Sequence, residues 1–347
     1  MNPSNYSSIS FPFLGIEINP PRMFSVGPFT AHYYGLIIAV GLILAVLYAM
    51  RRSKEFGLKE DDILDGVIWV TPFAIACARA YYVAFTWESY RDDPISVLYI
   101  WEGGIAIYGG VIGAIIGMAV MSRIKKVKFT TVLDLILMVF LLGQAIGRWG
   151  NFMNREAFGA ETEIFCRMGL TAPDGSTIFV HPTFLYESLW NVVGLLLILF
   201  VLTRGRRFDG ENTWFYFLWY GLGSSWIEGL RTDSLYLFKW TIMGERFRVS
   251  QALSVVMVVA AVIALVYEIK IKKKTADGLL VNQLAAAAAA EAALAETEAA
   301  AAVEAPTVTE IETEMEAAAA MEKEEAAAAE TPAKAEETEE VPDGNQN

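Results

Sequence analysis

Seven apolar runs, at residues 32–50, 62–86, 104–121, 130–147, 183–203, 212–230 and 249–269, account for most of the chain before residue 275. Each approaches the roughly 20 residues an α-helix needs to cross about 30 Å of hydrocarbon. In lipid the backbone must satisfy its own polar groups, which leaves only helices and closed barrels, and these runs lack the period-two alternation of barrel strands. The expected fold is therefore all-α: a polytopic membrane protein with seven transmembrane helices. The loops after runs one, three, five and seven carry 15 Lys and Arg in short stretches, against 9 spread over the longer opposite set. Basic residues concentrate on the cytosolic side, so the N-terminus is expected outside and the C-terminus in the cytosol.

Charge divides the chain at Thr275. The whole of its 347 residues carries a formal net charge of −13. Residues 275–347 hold 18 acidic residues and only Lys323 and Lys334, a net of −16, and the preceding 274 residues carry +3. The acidity thus belongs to an Ala/Glu-rich tail with few lysines to pair its glutamates and no recurring apolar face, a composition expected to be mostly disordered. The domain expectation is an extracytoplasmic arm over 1–31, a seven-helix membrane domain over 32–274 and a disordered cytosolic tail over 275–347.

Several classes are excluded. Two cysteines, Cys77 and Cys166, cannot form a disulfide framework or a Cys-rich zinc site, and two distant histidines, His32 and His181, make a poor metal centre. No metal and no cofactor is expected. No glycine-rich phosphate loop follows a strand, so neither a nucleotide domain nor a nucleic-acid partner is expected. The N-terminal segment has no basic stretch leading into an apolar core, which argues against a cleavable signal peptide.

Ionisable groups inside hydrocarbon cost several kcal/mol and are functional candidates by default. Arg79 lies deep in the second run, and Asp134 opens the fourth, where a structural role is favoured. The outer edge gathers Arg148, Glu156, His181, Glu187, Glu228 and Arg231, with Tyr34, Tyr108, Tyr186 and Tyr220. Two arginines at headgroup depth suit a phosphate, which the guanidinium fork binds bidentately.

Residues 147–159 read GRWGNFMNREAFG. Gly147 and Gly150 permit a tight exit from the fourth run, and Asn151, Asn154 and Glu156 surround Arg148 with amides and a carboxylate, a plausible oxyanion clamp. This G-R-x-G-N-F-x-N-x-E-x-x-G spacing resembles the signature of the phosphatidylglycerol–prolipoprotein diacylglyceryl transferase family. HYYGLIIAVG, WEGGIAIYGGVIG, HPTFLYES and IEGLRTDSL resemble its further blocks, so that the likeness covers about residues 24–270 and none of the tail.

The resemblance implies a seven-span enzyme of the bacterial cytoplasmic membrane with its active site towards the extracytoplasmic side. Such an enzyme moves the diacylglyceryl group of phosphatidylglycerol onto the lipobox cysteine of a prolipoprotein signal peptide, forms a thioether and releases glycerol 1-phosphate. Its partners would be that lipid, that peptide and the bilayer, and the enzyme is expected to be monomeric. Residue by residue, Arg148 matches the signature arginine and is expected to hold the lipid phosphate. Asn151 is assigned to headgroup hydrogen bonding, Glu156 to orienting Arg148, and Gly159 and Tyr34 carry over at matching positions. Glu228 and Arg231 match an E-x-x-R block, with Arg231 a second phosphate contact, and Tyr220 is retained one turn before Ser224.

Two departures stand out. Tyr108 occupies a place where some members carry a histidine favoured as base, and tyrosine as a residue type, with a pKa near 10, is a weak base at neutral pH. Tyr108 then serves as a hydrogen-bond donor, or His181 takes the thiol proton. Ser224 stands where the family commonly has an arginine. These departures keep one alternative open: a catalytically weak or inactive paralogue that binds anionic lipid.

Overall fold

A computed structural model of the chain describes residues 6–27, 29–232, 236–242, 245–304 and 308–329. Its helices are α1 (Tyr33–Arg52), α2 (Glu60–Phe85), α3 (Ile107–Ile124), α4 (Phe129–Asn154), α5 (Thr183–Leu197), α6 (Glu211–Leu230) and α7 (Val249–Val266), followed by α8 (Leu280–Glu304) and α9 (Val308–Ala329). A π-helical turn, Ile198–Leu202, extends α5, and another, Tyr267–Ile271, extends α7. The chain is a polytopic helical membrane protein. Among the described residues six helices are long and apolar enough to cross a bilayer, and α6 is not among them. It has the length, but ENTWFYFLWYGLGSSWIEGL spends its positions on indoles, phenols, glycines and serines rather than aliphatic side chains.

Chain alternation gives the bundle two ends. One carries the basic loops 53–59, 125–128, 206–210 and 272–279, and the other, the signature end, carries the segments before α1, between α2 and α3, between α4 and α5, and between α6 and α7. Among the described residues all strands lie in segments of the signature end, which the all-helical expectation did not include. β1 (Ser8–Phe11) pairs antiparallel with β2 (Ile16–Ile18) and with β5 (Met168–Thr171), which pairs with β6 (Thr177–Val180), giving the order β2-β1-β5-β6. Two hairpins, β3 (Met23–Val26) with β4 (Phe29–His32) and β7 (Tyr236–Ile242) with β8 (Glu245–Arg248), complete that end. Ile9, Leu170 and Val180 close a small core there with Phe152 and Phe184, so the N-terminal arm is anchored to the ends of α4 and α5.

Two packing devices set the helix positions. Gly109, Gly113 and Gly117 recur at every fourth place along α3 and let α2 approach. A methyl on Gly109 would lie 2.4 Å from the Cβ of Tyr81, and one on Gly113 would lie 2.6 Å from the Cβ of Cys77. Small residues at this spacing are the usual means by which membrane helices meet without a hydrophobic driving force. Between α5 and α6, Trp190 Nε1 donates to the Trp219 carbonyl and Trp219 Nε1 to the Trp190 carbonyl, both at 2.9 Å, and the indoles stack at 4.3 Å.

The buried charges of the spans have structural partners. Arg79, a functional candidate by sequence, donates to the carbonyls of Val97 and Gly103 at 2.7 Å and of Ser96 and Gly104 at 2.8 Å. Its guanidinium thereby fixes the loop between α2 and α3. Asp134 accepts from Gly210 N, Thr213 N and Thr213 Oγ1, each at 2.8 Å, and faces Arg206 at 3.6 Å. It caps the N-terminus of α6, where orphan amides and the helix dipole favour an anion.

Within the tail, α8 and α9 are helical, consistent with alanine's high helix propensity. The chain divides into compact units Met1–Ala285 and Ala286–Asn347, so the first unit extends past the expected boundary at 275. Leu279 is buried, Leu280 packs on the bundle core, and Leu280 N donates to Asp209 Oδ2 at 2.9 Å. Residues 330–347 of the expected tail lie outside the described residues.

Gly113→Val should force α3 away from α2. The expected loss is about 1–3 kcal/mol, read as a lower unfolding temperature in detergent, with Gly110→Ala, whose added methyl meets only ordinary contacts, close to unchanged.

Candidate active site

The signature helix α4 runs on past Gly147 and Gly150 to Asn154, so these glycines do not make the exit. The turn comes at Arg155 and Ala157, both left-handed with φ near 57° and 56°. Gly150 instead accommodates Tyr34, whose Cδ2 would lie 2.6 Å from an added methyl. Arg155 is held by Asn19 Oδ1 at 2.7 Å and by the carbonyls of Pro20 and Ser7 at 2.8 and 3.1 Å, which ties the N-terminal arm to the signature. Burial and the nearby Arg22 lower the basicity of Arg155 from the ordinary guanidinium value.

Arg148, one and a half turns before the end of α4, forms an ion pair with Glu187 of α5. Glu187 also faces Arg231 at 3.9 Å, and Arg231 faces Glu228 at 3.7 Å. One carboxylate therefore joins two arginines from opposite sides of the site. Arg148 Nη1 further reaches Asn151 Oδ1 at 3.5 Å, at the limit of a hydrogen bond. Asn151 and Asn154 donate to Glu156 Oε1 at 3.0 and 3.3 Å. The expectation that Glu156 orients Arg148 is thus modified: Glu156 reaches Arg148 through Asn151, and the direct partner is Glu187. Sequence reading placed Glu187 in the outer cluster but gave it no role. The usable signal was a carboxylate one turn into an apolar helix, with two arginines at the same edge.

Gly159 is where three segments meet. It forms a β-bridge with Arg231, its N–H donates to the His181 carbonyl at 3.0 Å, and a methyl there would sit 2.6 Å from the Cβ of His181. Its contribution is close backbone approach, which sets Arg231 and His181 beside the signature loop. His181 Nδ1 lies 3.4 Å from Tyr186 Oη, and Cys166 Sγ lies 3.6 Å from the same hydroxyl. Burial holds the imidazole below its ordinary value, so it is neutral at pH 7 and able to accept a proton.

Two cavities meet at this cluster. An apolar one of about 520 Å³ runs between α1, α2 and α4 from Ala49 and Ile63 up past Ile38 and Phe140 to Tyr34, Gly147, Arg148 and Asn151. A polar one of about 600 Å³ is lined by Asn151, Glu156, Gly159, Glu161, Arg231 and Thr232. Asn151 lines both. Among the ten sequence-predicted residues, Arg148, Asn151, Glu156, Gly159, Glu228 and Arg231 come together, with Tyr34 at the mouth of the apolar cavity and His181 behind Gly159. Tyr220 stacks on Tyr216 within α6, ring centroids 5.6 Å apart, and belongs to the core layer below. Tyr108 is 53% exposed on α3, on the helix that packs against α2, and is not drawn into the ion-pair cluster.

Comparison with known proteins decides the family. The profile described as prolipoprotein diacylglyceryl transferase matches residues 21–267. The chain belongs to the prolipoprotein diacylglyceryl transferase family. A phosphatidylglycerol–prolipoprotein diacylglyceryl transferase of Lysinibacillus sphaericus is 40% identical over 277 residues, covering 77% of this chain and 98% of that protein. Proteins of the same description from Bacillus velezensis and Limosilactobacillus reuteri are each 42% identical, over 260 and 254 residues, covering 73% and 71% of this chain and 93% and 90% of theirs. The family match ends before the segment 275–285 and the helices α8 and α9.

The lowered proton affinity of His181 is testable by imidazole NMR in the intact protein. Its titration midpoint should fall below the ordinary value of about 6.5, and opening the packing at Gly159 with Gly159→Ala should move it.

Proposed function

We propose that the protein transfers the diacylglyceryl group of phosphatidylglycerol to the lipobox cysteine of prolipoproteins, as its family membership supports, with Arg148 and Arg231 as the phosphate-binding pair. The observation that carries the site assignment is the sharing of Glu187 between these two arginines where an apolar cavity meets a polar one. A phosphatidylglycerol fits this division: one acyl chain along α1 and α4, the phosphate at Arg148, and the glycerol headgroup towards Asn151, Glu156 and Arg231.

The reaction forms a carbon–sulfur bond between the cysteine sulfur and the glyceryl carbon that bears the phosphate ester. The carbon–oxygen bond to phosphate breaks, and the bonding pair leaves on the oxygen of glycerol 1-phosphate. The thiol proton goes to a base and finally balances on the phosphate monoester. Arg148 and Arg231 lower the basicity of the leaving oxygen by neutralising its charge, an electrostatic effect that strengthens away from water. Glu187 and Asn151 hold the guanidinium of Arg148 in place before the lipid arrives, which limits reorganisation on binding. His181, neutral and close to the signature loop, is the base we assign.

The same reading completes the topology: seven spans including α6, the N-terminus outside, the C-terminus in the cytosol, and the signature end on the extracytoplasmic face of the bacterial cytoplasmic membrane. Lysines and arginines at the opposite end support it. Reciprocal Trp190–Trp219 bonding supports α6 as a span, since it buries the helix against α5. The protein works as a monomer, and the tail beyond Ala285 is dispensable for the chemistry.

Membranes containing the full chain should release glycerol phosphate from phosphatidylglycerol when given a lipobox peptide. Arg148→Ala should lower that rate by about a hundredfold or more, Arg148→Lys should not restore it because the bidentate fork is lost, and truncation after Ala285 should leave it intact. Absence of turnover by the intact protein would favour the lipid-binding paralogue.

A further inference from the structure

At the basic end, far along the bundle from Arg148, a cavity of about 420 Å³ opens where the end of α7, the loop before α6, the start of α4 and the turn at 275–278 converge. Lys128, Lys273 and Lys274 line it together with Thr130, Phe208 and Asp209. Lys128 Nζ is tied to Asp209 Oδ2 at 3.2 Å, to the Gly278 carbonyl at 3.0 Å and to Gln283 Oε1 at 2.8 Å. Lys274 pairs with Glu268 at 2.7 Å and lies over the Phe208 ring. Lys273, held at φ 48°, meets no acidic partner among the described residues.

Asp209 supplies the second observation. Its side chain is only 5% exposed. Oδ2 takes both Lys128 and the Leu280 amide, but Oδ1 is buried and meets no donor. An orphaned buried carboxylate oxygen calls for an explanation, and a missing donor is the simplest one. The wall therefore offers unspent positive charge for an anion and one acceptor for a hydroxyl. A headgroup that pairs phosphate with a cationic amine would bring its charge against three lysines, whereas a phosphate carrying a polyol meets both requirements. Lys272–Lys274 directly follow the helical stretch that ends at Ile271, the depth at which basic pockets between spans receive anionic headgroups.

We propose that this cavity is a second anion site, which takes a phosphorylated polyol such as a glycerol-phosphate group, with the phosphate on Lys273 and Lys274 and a hydroxyl donated to Asp209 Oδ1. The group comes either from a lipid of the adjoining leaflet or free from the solvent. The segment 275–285 forms one wall, so occupancy steadies that segment against the bundle. This inference is independent of the chemistry assigned to Arg148.

Native mass spectrometry of the full chain, carrying Arg148→Ala and Arg231→Ala to remove the first anion site, provides the test. The protein should retain dioleoylphosphatidylglycerol in preference to dioleoylphosphatidylcholine, and Lys273→Ala should weaken retention about tenfold, the loss expected for one charge-assisted contact. Asp209→Asn should abolish the preference for phosphatidylglycerol over dioleoylphosphatidic acid, which lacks the glycerol hydroxyls. Displacement of the lipid by millimolar glycerol 1-phosphate would identify the free compound as a competent ligand, and retention in its presence would identify the lipid. Equal retention of phosphatidylcholine, or retention unchanged by Lys273→Ala, would overturn the site. A preference for phosphatidylglycerol that survives Asp209→Asn would overturn the polyol assignment.

Discussion

A carboxylate or guanidinium cannot be left alone in hydrocarbon, and the signature end is organised around that constraint. Glu187 enters α5 one turn below the surface, where its charge is tolerated only because Arg148 and Arg231 share it. That sharing links α4, α5 and the segment after α6 at one level. The same constraint keeps the arginines usable: their mutual repulsion is offset without consuming the two forks. Under the proposed function an incoming phosphate would meet cations already placed, with the desolvation of all three side chains met during folding.

The two ends of the bundle solve the constraint differently. At the basic end, Asp134 is fully enclosed by the first amides of α6, Thr213 and Arg206. Its bonds are short and saturated, and it functions as a cap. At the signature end Arg148 pairs closely with Glu187 while the pairings of Arg231 are longer, the side chains retain partial exposure, and two cavities reach them. The first charge is closed off by its partners, and the second stays open to two cavities. Arg79 belongs to the first kind despite its depth, because four backbone carbonyls at 2.7–2.8 Å occupy its donors.

Much of this was legible from residue order. The apolar runs locate all seven helices to within a few residues, because burial in lipid needs length and apolarity and little else. The signature motif, read with its amides and carboxylate, points to Arg148, which the fold places in the cluster with Glu187 and Arg231. What residue order did not reveal are relations across the bundle. Glu156 is close to Arg148 in sequence, yet Glu187, thirty-nine places on, is the partner in space. Tyr220 and Tyr108 share helices with informative motifs but face elsewhere. The helices of the tail, α8 and α9, follow from alanine's propensity. The β-strands were missed because they lie in short, irregular segments whose pairing, β1 with β5, spans about 160 residues of chain.

The exchanged tryptophan bonds between α5 and α6 have a mechanical consequence. Each indole donates to the other's carbonyl, so an axial slip of one helix along the other breaks both bonds together and unstacks the rings. Graded sliding at this contact is thereby converted into an all-or-none event. Glu187 lies three residues from Trp190 on one of these helices, and Arg231 directly follows the other, so the carboxylate and its second arginine are mounted on a single rigid piece. The opposite wall is built differently: there α1 meets α4 with Tyr34 packed on Gly150 and Ile146 packed on Gly41.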